Sequence, residues 1–370
     1  MRLYYNPPVL DLTLENVALR RGALAISGLD ATFPRGTHTA LIGPSGAGKS
    51  TILALLEGSV RPDAGTVRIG ARDATKTRPA ARPLFHTART EEIPPRRSVR
   101  HVLVAAARTR RGLDYEERME EIERASKAWD LEPLLDRRAR ELSSGDALRV
   151  RLAQILLLRP AVLLAERLFE GATAGTMDAL EDPFWRQLRA DGCTIVHEIA
   201  RPEELGWADN AMLVDAGRIA ASGTPRQLEA TAPTPALAAL FGPTSAIPVV
   251  VSGHDVRSPL GTWTVDHAPF EGTGLALAHP WDFTVASAGA ESDFLLGIEE
   301  ARFLGWTWEL AGVVTGGTLI RVWVDADVHP TRGRLLPMRF DPSRFRLFPA
   351  AGAPRFDAPT DAVPPRAESR

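Results

Sequence analysis

The spacing of apolar residues changes several times along the chain, and each change marks a different kind of element. Residues 10–19, LDLTLENVAL, alternate apolar and polar as a half-buried strand does. THTALIGPSG (37–46) is a buried strand that runs into a glycine-rich loop. STILALLEG (50–58) then places its apolar residues on one helical face and ends at Gly58, a helix-stop signal. PDAGTVRIG (62–70) reads as a turn followed by a strand. From residue 98 helical spacing takes over. SVRHVLVAAARTRR (98–111) is one helix and LDYEERMEEIERASKAWD (113–130) a second, with Asp114 and Glu117 placed as a capping box. A third helix spans 145–158. AVLLAERLF (161–169) and CTIVHEI (193–199) are short apolar strands with a helix over 175–190 between them. Strands separated by helices predict a parallel sheet covered on its faces.

Near residue 233 the pattern changes again. TAPTPALAALFGPTSAIP (231–248) is rich in Pro, Ala and Thr, as a linker is. Beyond it come short strand-like runs punctuated by Gly, Pro and Asp: VVVSG, GTWTVD, GLALA, FTVAS, ARFLGWTWELAGVV, TLIRVWVDADV and FRLFP. They predict a small all-β barrel or sandwich. Residues 351–370 read as a disordered tail. The division is therefore 1–235, with a helical subdomain at about 95–145, then 236–350, then the tail; 370 residues suit two domains of ordinary size.

Composition narrows the class. With 44% hydrophobic and 24% charged residues the chain is a globular protein, not a disordered, collagen-like or coiled-coil one. A formal charge of −2 gives no global pull toward nucleic acid, so no nucleic-acid partner is expected. The single cysteine, Cys193, excludes an intramolecular disulfide and a cysteine-based zinc site, and reads as a small buried hydrophobe in a reducing compartment. The most apolar stretch, AQILLLRPAVLLA (153–165), is broken by Arg159 and Pro160 and is too short to cross a bilayer. The N-terminal MRLYYNPPVLDLTLEN lacks the apolar core of a signal peptide. The expectation is a cytoplasmic protein, unless it docks on a membrane protein.

GPSGAGKST (43–51) matches G-x-x-x-x-G-K-[ST] at Gly43, Gly48, Lys49 and Ser50. A strand precedes it and a helix follows, which is the context this chemistry requires. The glycines let backbone N–H groups turn inward around phosphate oxygens, and the helix N-terminus adds partial positive charge. Pro44, Ser45, Gly46, Ala47 and Thr51 complete the candidate nucleotide loop. Lys49 would reach the β- and γ-phosphates, and the Ser50 hydroxyl would ligate Mg²⁺.

LSSGD (142–146), following the helical block, resembles the LSGGQ signature of ABC transporter ATPases, and the likeness runs without gaps through LSSGDALRVRLAQILLLRP to Pro160. DAGRIAASGTP (215–225) resembles the segment that closes that family's domain. The β-rich remainder looks like the C-terminal OB-like (TOBE) domain of importers for sugars such as maltose, glycerol phosphate, polyamines or iron, most visibly in ALAHPWDFTVA and MRFDPSRFRLF. The resemblance implies an α/β P-loop NTPase domain with a helical subdomain, followed by a small all-β OB-like domain. It implies ATP and Mg²⁺ as cofactors, transmembrane permease subunits as partners and a location on the inner face of the plasma membrane. It also implies a second ATPase chain, because two such domains close head to tail. Ser143, Ser144 and Gly145 would then act in trans, as a second helix N-terminus aimed at the partner's γ-phosphate. Ser143 or Ser144 also reads as an ordinary helix N-cap.

Against that family the hydrolytic residues are mostly missing. An acidic side chain should hold Mg²⁺ and a following Glu should orient water. Counted without gaps these positions are Glu166 and Arg167; a one-residue shift makes them Ala165 and Glu166. Either way only one carboxylate, Glu166, remains as the catalytic or metal-binding acid. His86, in LFHTA, stands where a glutamine is expected, as a hydrogen-bonding or packing residue and a poor Mg²⁺ ligand. ARPEEL (200–205) puts Ala200 at the switch histidine, with His197 three residues earlier as the only substitute. Thr173 takes the place of an aspartate, and Arg21 that of an aromatic that stacks on adenine, a role a guanidinium can also fill. The reading is an ATP-binding subunit of an importer with a degenerate hydrolytic site. A non-hydrolysing regulatory subunit and a conventional self-sufficient ATPase are the alternatives.

Overall fold

In a computed structural model the described residues are 9–350, apart from 23, 90–93, 110–112, 171–173, 233 and 288. Thr173 and the expected tail at 351–370 lie outside them. The chain divides into two compact units, Met1–Pro233 and Thr234–Arg370.

The first unit opens with β1 (Leu12–Arg21), β2 (Leu24–Phe33), β3 (His38–Ile42) and α1 (Lys49–Glu57). Then come β4 (Ala64–Ile69), β5 (Arg72–Asp73), β6 (Phe85–His86), α2 (Val99–Arg108), α3 (Tyr115–Ala128) and α4 (Ser144–Leu158). It closes with β7 (Val162–Glu166), α5 (Ala174–Ala190), β8 (Thr194–Glu198), β9 (Asn210–Asp215), β10 (Arg218–Gly223) and α6 (Pro225–Thr231). Two sheets form: β2-β1-β4-β5, antiparallel, and β10-β9-β3-β8-β7-β6. In the second, β9, β3, β8, β7 and β6 are parallel, and β10 is an antiparallel edge. β3 is central and buried on both faces, so all five of its residues are buried, the polar His38 and Thr39 along with Ala40, Leu41 and Ile42.

The two faces of this parallel sheet have separate cores. On one, α1 packs with Val162, Leu164 and Val196 and with the antiparallel sheet. On the other, α2, α3, α4 and α5 pack over Leu163, Ala165 and Ile195. Alternation along each strand thus sends neighbouring residues to opposite cores. Cys193 is buried on the helical side, and burial pushes its thiol well above the usual range. The capping box of Asp114 and Glu117 forms at the start of α3. Gly58 ends α1 in the left-handed conformation, where a β-carbon would be strained. The buried Arg82 guanidinium donates to the carbonyls of Leu55 (2.8 Å) and Leu56 (2.5 Å), satisfying orphan acceptors at that end of α1. Among the described residues no helix is long and apolar enough to cross a membrane.

The second unit starts with α7 (Pro235–Ala238) and continues as ten strands: β11 (Ser245–Ser252), β12 (Asp255–Ser258), β13 (Gly261–Thr264), β14 (Gly272–Ala278), β15 (Phe283–Val285), β16 (Phe294–Phe303), β17 (Thr307–Val313), β18 (Leu319–Asp325), β19 (Leu335–Phe340) and β20 (Arg346–Pro349). They form two five-stranded sheets, β13-β12-β11-β14-β20 and β15-β19-β16-β17-β18, whose inner faces share one core. This is the expected all-β, OB-like architecture. ARFLGWTWELAGVV is not one strand: it turns at Gly305 (φ +98°) and pairs back on itself as β16 and β17. β2, β5, β6, β9, β10, β12 and β19 are strands that the sequence pattern left unassigned. β12 is only four residues long, too short for alternation to register, and β19 carries Pro337, which reads as a breaker.

Candidate nucleotide-binding site

The loop between β3 and α1 is shaped by its glycines. A β-carbon on Gly43 would lie 2.1 Å from the Val214 carbonyl oxygen, so no other residue fits there. Gly46 (φ +79°) and Gly48 (φ +111°) are left-handed. Gly48 precedes α1 without any side-chain cap, and the first turn contains no acid. The first N–H groups of α1 are therefore unspent and face an electropositive helix end, the setting for an anion.

A cleft of about 680 Å³ opens over this loop. Gly43, Ser45, Gly46, Gly48, Lys49, Ser50 and Thr51 line it. Pro44 contributes its carbonyl, which accepts from Lys49 Nζ at 3.0 Å, and Ala47 is buried in the core beneath. Lys49 Nζ also donates to the Gly43 carbonyl at 2.8 Å. Its ammonium is thus held by the carbonyls of its own loop. Arg21, at the end of β1, lines the same cleft.

The opposite wall comes from the C-terminal ends of β7 and β8. Glu166 ends β7; its Oε2 lies 3.1 Å from His86 Nε2, and its backbone N–H donates to Thr87 Oγ1 at 2.8 Å. His86 is buried against this carboxylate, a more specific contact than packing alone. Arg167 lines the cleft with left-handed backbone (φ +46°) and pairs with Glu170.

The expectation of a single carboxylate is wrong. Glu198 ends β8 and lines the cleft beside Glu166, its partner in the parallel ladder. Its Oε2 accepts from Ser50 Oγ at 2.8 Å, and its Oε1 is 3.8 Å from Lys49 Nζ. Counting along one segment could not find it, because the strand pairing that aligns Glu198 with Glu166 joins residues 32 apart. The available signal was a Glu at the end of a second apolar strand, HEI in CTIVHEI.

His197 does not substitute for the switch histidine. It is fully buried, its Nδ1 3.4 Å from His38 Nε2 and its Nε2 3.2 Å from Glu204, on the sheet face opposite Glu198. Burial, then the neighbouring His197 and Arg189, holds His38 well below the usual imidazole range. Burial raises the Glu204 carboxyl, but its bonds to His197, the Ala200 N–H and Arg201 outweigh this and hold it below the usual carboxylate range. Ala200 itself lines the cleft, offering only a methyl group there.

Ser143, Ser144 and Gly145 do not line this cleft. Ser143 is the N-cap of α4: its Oγ accepts from the Asp146 N–H at 3.2 Å and donates to Asp146 Oδ2 at 2.7 Å. Ser144 and Gly145 are the first two residues of the helix.

Residues 26–166 match the ABC transporter family profile. Over 277 residues the chain is 30% identical to an Fe(3+) ions import ATP-binding protein of Rhodococcus jostii, covering 73% of this chain and 78% of that protein. It is 29% identical over 303 residues to the sulfate/thiosulfate import ATP-binding protein of Caulobacter vibrioides (80% and 88% covered). A glycerol-3-phosphate import ATP-binding protein of Agrobacterium fabrum aligns at 26% identity over 89% of this chain and 94% of its own length. Among solved structures, the ADP conformation of an ATP-binding cassette from an ABC transporter superimposes with a TM-score of 0.53 at 22% identity, over 63% of this chain and 99% of that one, a likeness of fold.

Proposed function

The chain belongs to the ABC transporter family of import ATP-binding proteins, and from that premise we propose that it is the ATP-binding subunit of an import system. It binds Mg-ATP at residues 43–51, and closure around the nucleotide drives a transmembrane permease from the cytoplasmic face of the membrane. The observation that carries this reading is the loop itself: an uncapped α1 N-terminus, with Lys49 and Ser50 facing a cleft of about 680 Å³, within the size of small-ligand sites. Residues 1–235 carry the nucleotide chemistry, and 236–350 are an OB-like accessory domain. The regulatory reading is not favoured, since import subunits align across both units.

The donors fit Mg²⁺, a hard cation that takes few protein ligands and completes its shell with phosphate oxygens and water. Ser50 offers a hydroxyl, and Glu166 and Glu198 offer carboxylates, on one wall of the cleft. When bound, the ion would neutralise charge on the β- and γ-phosphates. Lys49 leaves the carbonyls of Gly43 and Pro44 for the phosphates, and Arg21 stacks on the base. Glu166, held by His86 and Thr87, orients the attacking water. Ala200 gives nothing to the γ-phosphate where the family has a histidine, so hydrolysis by the isolated chain is slow and depends on a second ATPase chain, to which Ser143–Gly145 are presented. The test is phosphate release by the purified chain. Turnover below about 1 s⁻¹, rising on Ala200→His, is expected; wild-type turnover of ~1–10³ s⁻¹ would refute the slow site. Failure of millimolar Mg-ATP to raise the melting temperature would remove the reading altogether.

A further inference from the structure

We infer that Glu198, on β8, is the carboxylate that anchors Mg²⁺ in this site, leaving Glu166, the single acid that ends β7, to the water. The inference rests on the Mg-ATP reading above and names the ligand within it. The chemistry needs two carboxylates with different tasks, one on the metal and one on the water. The chain contains no Asp between Asp146 and Asp178, so β7 and the turn after it cannot supply the pair from consecutive positions. The fold supplies it across two strands instead. Val162 and Leu164 pack on the α1 side of the sheet, and Leu163 and Ala165 on the other. The same alternation sends Glu166 to the α1 side, and its ladder partner Glu198 goes with it. Ala165 faces away from the loop and is no candidate for the metal position.

The two carboxylates are already sorted by their partners. Glu198 bonds Ser50 Oγ, the hydroxyl that a P-loop offers to its metal, at 2.8 Å. Glu166 bonds His86 instead, at 3.1 Å. Sheet order explains the assignment: β8 lies directly beside β3, while β7 is one strand farther from the loop. A carboxylate on β8 reaches the start of α1 with one fewer strand to cross.

Charge points the same way. The Glu198 side chain is only 9% exposed, and its nearest cation, Lys49, is 3.8 Å away and bonded to loop carbonyls. When Lys49 turns to the phosphates, Glu198 is left facing an anion. A buried carboxylate in that position needs a cation between itself and the phosphates. Glu198 should therefore oppose ATP binding without Mg²⁺ and favour it with Mg²⁺.

The experiment measures equilibrium binding of ATP to the purified full-length chain, in excess Mg²⁺ and in EDTA, for wild type, Glu198→Gln and Glu166→Gln. Glu198→Gln should weaken binding about tenfold or more in Mg²⁺, yet leave it equal or tighter in EDTA. A second readout uses Mn²⁺ as the probe: at fixed ATP, the protein-bound fraction seen by electron paramagnetic resonance should fall for Glu198→Gln. If Glu198→Gln tightens binding in both buffers, Glu198 is only a counter-ion for Lys49 and the inference is overturned. It is also overturned if Glu198→Gln matches wild type in Mg²⁺, or if the Mg²⁺ enhancement is lost on Glu166→Gln instead. The broader reading survives each of these results, and falls only if wild type binds no ATP in either buffer.

Discussion

The protein has two helix N-termini that its family uses for phosphate, and they are built differently. α1 begins after Gly48 with no capping side chain and no acid in its first turn. α4 begins after Ser143, whose hydroxyl already accepts the Asp146 N–H, and it carries the Asp146 carboxylate in that turn. Both helices have the same macrodipole per turn, but only α1 keeps its N–H donors unspent. The difference teaches that a helix end receives an anion when its own side chains leave it unsatisfied. α4 satisfies itself, and Asp146 brings negative charge to the place where a partner's γ-phosphate would sit. Ser143 and Gly145 retain the motif while its chemistry is partly consumed within the helix. On the proposed reading, nucleotide goes to the uncapped α1, and the self-capped α4 contributes less in trans.

The largest expected effect breaks the α1 side. Lys49→Ala removes the only side-chain cation of the loop, so ATP affinity should fall about 100-fold, equivalent to about 2.8 kcal/mol. The ATP-dependent rise in melting temperature should vanish in the same titration. A variant that still shifts in millimolar Mg-ATP would mean that the α1 N-terminus suffices without the lysine. Next in size is Gly145→Asp, which adds a second carboxylate to the α4 end. In a reconstituted pair it should lower the partner's phosphate release about tenfold while ATP binding to this chain is kept. Equal rates, or no second ATPase chain in a pull-down, would take α4 out of the mechanism.

Ser143→Ala separates capping from trans action. Loss of the N-cap costs about 1 kcal/mol, a drop in melting temperature of about 2–4 °C for a unit of this size. The drop should appear without nucleotide or partner, and its absence would show that the α4 end is not held by Ser143. The smallest change sharpens the comparison by making α4 more like α1. Asp146→Gln removes the acid from the first turn, where a charge is worth about 0.3–1 kcal/mol. The partner's phosphate release should rise about two- to fivefold, an increase that high salt should reduce. No rise would mean that the Ser143 cap, not the Asp146 charge, sets the limit.

What could be read from the chain alone was whatever depends on near neighbours. The loop at 43–51 was legible because a strand, its glycines and a helix start lie within a dozen residues, and each enforces its conformation locally. The capping box at Asp114 and Glu117, the Gly58 stop and the change to short strands after residue 233 are local in the same sense. Tertiary structure decided the rest, because it depends on which strands lie side by side. Parallel pairing put Glu198 beside Glu166 and within reach of Ser50, so a site that reads as one carboxylate along the sequence has two in space. The same alternation turned His197, one residue before Glu198, into the buried cluster with His38 and Glu204, away from the cleft. A linear count carries no register between strands, and register is what assigns each side chain to the cleft or to the core.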